Sequence, residues 1–241
     1  MSDGEEDRAL YRLAAALALL AALLSVSSYA ASLLNSIVLG KVGIVLRAQI
    51  IAHEPWKWSP AFILAAAAAM IQVPVVLALA DLLRPRRLLA RLAAAHGLIG
   101  VTLASLTQFM QATVSRKAAL MMIADRFERA KPAYLAQSSE WNILFPFSSA
   151  FALAMLAQTF IAVMLGCLWL AFRRERGLRR VVGGIALAAV TAQAVGVIGY
   201  VADLDDVAFG AALADVLYTL VLALLPFVFW RAAREINEPV A

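Results

Sequence analysis

The chain has 241 residues, of which 63% are hydrophobic and only 15% charged, with 21 Lys and Arg against 16 Asp and Glu for a formal net charge of +5. Soluble domains carry about a quarter charged residues, so too little polar surface remains here to wrap a water-facing fold. Intrinsic disorder is excluded, and the single cysteine, Cys167, excludes an internal disulfide and a thiolate metal cluster.

A bilayer core of about 30 Å is crossed by about 20 helical residues, and six apolar runs reach that length. The first, Leu10 to Leu34, follows Arg8 and Arg12 and stays apolar to about Leu39. Ser28-Tyr29-Ala30 has the small-x-small form of a cleavage site, but the run is too long for a signal-peptide core and is preceded by acidic Asp3, Glu5, Glu6 and Asp7. It is therefore expected to be a span. The others are Pro60 to Leu83, Ala90 to Val114, Phe147 to Phe172, Val181 to Val201 and Val207 to Trp230. Backbone groups in hydrocarbon must be paired within their own segment, and the alternation of a barrel strand is missing, so each run is expected to be a helix. Ser59-Pro60 has the form of an N-cap and first-turn proline, Pro85 ends the second helix, and Asp205 and Asp206 can cap the last.

Alternate loops differ in charge. Thirteen Lys and Arg fall on the side of the termini (Arg8, Arg12, the Arg84 to Arg91 group, the Arg173 to Arg180 group, Arg231 and Arg234) and eight on the other, spread through two longer loops. The excess places both termini in the cytoplasm, facing anionic headgroups rather than nucleic acid. In the third, outer loop, Leu120, Ile123, Ala124 and Phe127 share one helical face over residues 116–131, which predicts an interfacial helix ending near Pro132. Trp56, Trp58, Trp141 and Trp230 lie at span ends and Trp169 near one, the depth an amphipathic ring prefers.

Within the spans, Asp215 is the sharpest polar signal. It lies about 12 Å along the last helix from its outer end, where an exposed carboxylate is costly, so it is expected to face protein or water. Counted from the outer ends, Gln72, Gln158, Gln193 and Asp215 fall in one layer, with Gln108, Gln111, Ser25, Ser28 and Tyr29 above them and Tyr218 one turn beyond Asp215. If these groups point inward they form a polar shelf; otherwise they are separate interhelical hydrogen bonds. Pro74 and Pro226 each free a carbonyl and predict kinks. Ala65 to Ala69, Gly97 with Gly100, and Gly196 with Gly199 predict close helix packing.

Other chemistries find no support. His53 and His96 share no helical face, no lysine lies within a span, and neither a nucleophile elbow nor a phosphate-cradling loop occurs. His96 is expected to be a packed, hydrogen-bonded residue, and Asp81 to pair with Arg84 three residues on. No cofactor, metal or catalytic residue set is called for.

The span layout, together with Leu82-Leu83-Arg84-Pro85-Arg86-Arg87 after the second span, resembles the six-span bacterial membrane proteins classed as domains of unknown function. The resemblance covers most of the chain and implies a bacterial inner-membrane location, with no activity or site residue to carry over. The sequence thus predicts an all-α polytopic membrane protein, one six-helix bundle over residues 1–241. Its expected partners are the lipid bilayer, a small-molecule or lipid ligand, and a membrane protein or second copy of the chain. The leading functional expectation is an outward-facing pocket for a small molecule or ion, formed by Asp215, Gln193, Gln158, Gln108, Gln72 and Tyr218. The alternative is a scaffold or accessory subunit with no transport or catalytic activity.

Overall fold

The structure, a computed structural model, describes residues 3–39, 44–123, 149–201 and 207–236. These residues are all-helical: α1 (Asp3–Leu39), α2 (Ile44–His53), α3 (Pro55–Leu82), α4 (Arg87–Ile123), α5 (Ser149–Phe172), α6 (Leu178–Val201) and α7 (Val207–Glu235). All but the short α2 are long and apolar enough to cross a membrane, giving six spans. Their outer surfaces are what lipid would cover, since Leu33, Met70 and Ile198 are each more than 60% exposed and an apolar surface this extensive is foreign to a soluble monomer. The protein is a multi-pass membrane protein.

Three sequence expectations change in detail. Helix α1 begins at Asp3, because acidic residues in a first turn suit the positive end of the helix dipole and let the helix start before the apolar run does. Helix α3 begins at Pro55, leaving Pro60 inside the helix and Ser59 free of a capping role; its hydroxyl donates instead to the Ala112 carbonyl of α4 at 3.4 Å. The connection between the first two spans contains α2, whose Ile51 and Ala52 are buried where it packs on α4. Residues 116–123, the first half of the expected interfacial helix, simply continue α4 beyond its span, while residues 124–131, like Asp203, Asp205 and Asp206, lie outside the described residues.

The six spans pack in sequence order, each against its neighbours, and α7 closes back onto α1. The result is a ring of alternating up and down helices. The start of α1, the end of α7 and the turns 83–86 and 173–177 lie at one end, the terminal face; the opposite ends of the spans make the loop face. Close approach of small residues builds the ring, as expected where lipid supplies no hydrophobic drive between helices. A Cβ on Gly210 of α7 would stand 2.8 Å from the backbone nitrogen of Gly196 on α6, and one on Gly100 would stand 2.7 Å from the Ile161 side chain of α5. The partner of Gly196 is thus Gly210, in the next helix, a pairing that spacing along α6 could not reveal.

The terminal half of the ring is filled. Val75, Leu79, Leu168, Leu222, Val228 and Phe229 are essentially buried there, and the Tyr11 ring stacks on Phe229 with centroids 6.1 Å apart. The Tyr11 hydroxyl donates to Asp81 Oδ2 at 2.9 Å, while the expected Asp81 to Arg84 pair is longer, at 3.8 Å. At the rim, Arg86 donates to the carbonyls of Leu170 and Ala171, the unsatisfied last turn of α5, where a cation also meets the negative end of the helix dipole. Arg179 and Arg231 both bond the Glu235 carboxylate, at 2.8 and 3.0 Å, tying the start of α6 to the end of α7. Gly177, in the turn between α5 and α6, has φ +65°, a conformation glycine adopts without strain.

The Gly196 to Gly210 contact gives a direct test. Gly210→Val should destabilise the protein by about 1–3 kcal/mol, the ordinary cost of overpacking, because the obstacle is backbone that cannot rotate away. Gly166→Ala, where nothing lies within 4 Å of the added carbon, should change stability by less than about 0.5 kcal/mol. Unfolding of both variants in detergent, compared with the parent, measures the difference.

Candidate functional site

The loop half of the ring is not filled, and the sequence explains why. On α3, Ala65, Ala68 and Ala69 replace the Val and Leu found lower down, and Ala104, Ala154 and Ala157 do the same on α4 and α5. These six alanines line a half-enclosed cavity of about 230 Å³. The alanine run of α3 was expected to serve helix packing; Ala66 does so, accepting a hydrogen bond from Ser105 of α4 at 3.3 Å, while its neighbours leave room.

The cavity wall is polar. Ser25, Ser28, Tyr29 and Ser32 come from α1, Gln72 from α3, Thr107, Gln108 and Gln111 from α4, Gln158 from α5, and Asp215 and Tyr218 from α7. Every buried polar residue described, namely Ser28, Gln72, Thr107, Gln111, Gln193 and Thr219, lies in this half of the ring. Helical spacing accounts for the grouping on each element: Ser25, Ser28 and Ser32 recur at three and four residues, as do Gln108 with Gln111 and Asp215 with Tyr218.

Hydrogen bonds join the helices of the wall. Gln158 Nε2 of α5 donates to Asp215 Oδ1 of α7 at 2.8 Å. The Tyr218 hydroxyl of α7 donates to Gln72 Oε1 of α3, past the intervening α1. Ser28 Oγ donates to the Ala61 carbonyl at 2.7 Å, joining α1 to α3, and Thr219 Oγ1 turns back on the Asp215 carbonyl at 2.9 Å. Beneath the Tyr218 to Gln72 pair, Val75, Leu79, Leu168 and Leu222 pack tightly around a void of only about 10 Å³, so the cavity has an apolar floor and no polar path leads on to the terminal face.

Electrostatically the site is simple. Among the described residues Asp215 is the one charged residue in the wall, and no Lys, Arg or His lines the cavity. A carboxylate in this position is stabilised by its amide partner and by whatever occupies the cavity, not by an ion pair. No group of three or more metal-ligating His, Cys, Asp or Glu side chains occurs among the described residues. Chemically, the arrangement can accept hydrogen bonds from a solute and balance a positive charge; it has no nucleophile set beside a base.

Of the six pocket residues expected from sequence, Asp215, Gln158, Gln108, Gln72 and Tyr218 border this one cavity. Gln193 does not. It is 3% exposed and borders a separate void of about 20 Å³ on the α6 side of Asp215. Sequence reasoning passed over Ser32 and Thr107, which also line the wall; their spacing of three or four residues from Ser28 and Gln111 is the signal that finds them. The other sequence-singled groups are structural: His96 Nδ1 lies 2.9 Å from the Leu92 carbonyl and Cys167 is buried in the apolar core. Among the tryptophans, Arg234 stands over Trp230 at 4.9 Å and Lys57 over Trp56 at 5.0 Å, both rings largely exposed near span ends.

No family model, no curated protein and no solved structure matches this chain. The site's meaning comes from its own geometry.

A double-mutant cycle checks the hydrogen bond from Tyr218 to Gln72. Tyr218→Phe and Gln72→Leu should each lower stability in detergent, and the double variant should lose less than their sum, with a coupling of about 0.6 kcal/mol and at most about 1.7, the range for such bonds in membrane proteins. Zero coupling would remove the bond from the account of the cavity floor.

Proposed function

We propose that this six-span protein binds a small polar solute, neutral or cationic, in the cavity of its loop half, in the manner of a transporter or receptor. The observation that carries the reading is the Asp215 carboxylate set among the hydroxyls and amides that share the wall with its alanines, with no Lys, Arg or His lining it among the described residues. Such a wall rejects anions, which would meet an unbalanced negative charge, and accepts alcohols, amides and amines. A volume of about 230 Å³ lies below the usual range of drug-sized sites and suits a metabolite-sized solute. A scaffold would have no use for a polar chamber maintained against the general filling of membrane-protein interiors.

The reading includes an orientation. The arginine-rich turns and both termini belong in the cytoplasm of a bacterial inner membrane, so the cavity faces outward. Reporter fusions at the two termini should both register as cytoplasmic, while a reporter inserted between α6 and α7 should register on the far side; the opposite pattern would turn the cavity inward.

Ligand selectivity tests the main claim. Purified protein in detergent is heated with matched panels of small amines, polyols and carboxylates. A bound solute at one hundred times its Kd stabilises by about 2.7 kcal/mol, which is several degrees for a chain of this size. Amines or polyols should raise the midpoint and carboxylates should not, and Asp215→Asn should abolish the preference for amines over carboxylates. If no class of compound shifts the midpoint, the pocket reading fails and a scaffold role stands in its place.

A further inference from the structure

Asp215 borders two chambers. The large cavity lies on one side, and on the other is the void of about 20 Å³ lined by Gln158, Gln193, Tyr218 and the apolar Ile161, Ala162, Leu165, Ala189 and Ala214. Both ends of the Gln193 amide and the Oε1 of Gln158 are buried without a hydrogen-bond partner. Native proteins seldom leave buried polar atoms unsatisfied, because each then loses its hydration with nothing in return, so three beside one void point to an occupant.

From this geometry we infer that the rear void is a site for a dehydrated monovalent cation of sodium's size, bound by Asp215 and the amide oxygens of Gln158 and Gln193. Size, ligand type and charge agree. The void exceeds the roughly 10–15 Å³ needed to seat one water, and a bare sodium ion is no larger than a water molecule. Carboxylate and amide oxygens are hard ligands suited to hard cations, and among the described residues no basic side chain lines either chamber to balance Asp215. A water molecule could satisfy the amides but would leave that charge uncompensated. The rear site stands on its own geometry, whatever fills the larger cavity.

The experiment is a thermal titration of the full chain in detergent, with no organic solute, using sodium chloride, potassium chloride and caesium chloride at equal ionic strength. Sodium should raise the unfolding midpoint saturably, potassium less, and caesium not at all. Gln193→Leu and Asp215→Asn should each raise the sodium concentration for half effect by about tenfold or more. Equal responses of the parent protein to the three salts would overturn the site without reference to any variant. A sodium response unchanged in Gln193→Leu would overturn it as well. Because no cavity ligand is present, failure here is separate from failure of the solute panel.

Discussion

Hydrocarbon offers helices no hydrophobic reason to associate, so this bundle stands on how closely its backbones can approach. Glycine against glycine between α6 and α7, and glycine against Ile161 between α4 and α5, draw consecutive helices together. That contact, repeated around the chain and closed by α7 against α1, makes a ring. A ring of six helices has a centre, and what fills that centre differs along the membrane normal. In the terminal half Val, Leu and Phe side chains meet in the middle; in the loop half alanines stop short of it. The cavity is thus the place where close packing at the circumference is not matched by bulk at the axis.

Space of that kind in a low-dielectric medium cannot be lined at random. A polar group facing it must find a partner on another helix, be hydrated, or hold a ligand. The protein uses the first device for Tyr218 and Gln72, and for Gln158 and Asp215, which bridge helices that are not sequence neighbours. These bonds set the floor and one wall while leaving most hydroxyls and amides facing inward. The terminal face is handled differently. There, arginines cap helix ends and pair with Glu175 and Glu235 at the surface, where hydration keeps each contribution small.

The location of Asp215 draws these features together. It sits where α7 meets both the cavity and the α6 interface, so one carboxylate is shared by a chamber of metabolite size and a chamber of ion size. A group shared in this way can link what happens in the two compartments, since occupation of one changes the field in the other.

Much of this was legible from residue order. Span number, helical class and the depth of each polar residue follow from length, composition and a rise of 1.5 Å per residue, which are properties of single helices. Depth alone brought Gln72, Gln158 and Asp215 into one layer because alternating helices share the same two interfaces. Rotation about each helix axis, and the choice of neighbours, belong to the assembled bundle. That Gln193 faces a different void from Gln158, that Gly196 meets Gly210, that α2 lies on α4, and that the α3 alanines make space instead of contact are decided only there. The hydropathy of a span says how deep a side chain lies; which way it points is set by the helix packed beside it.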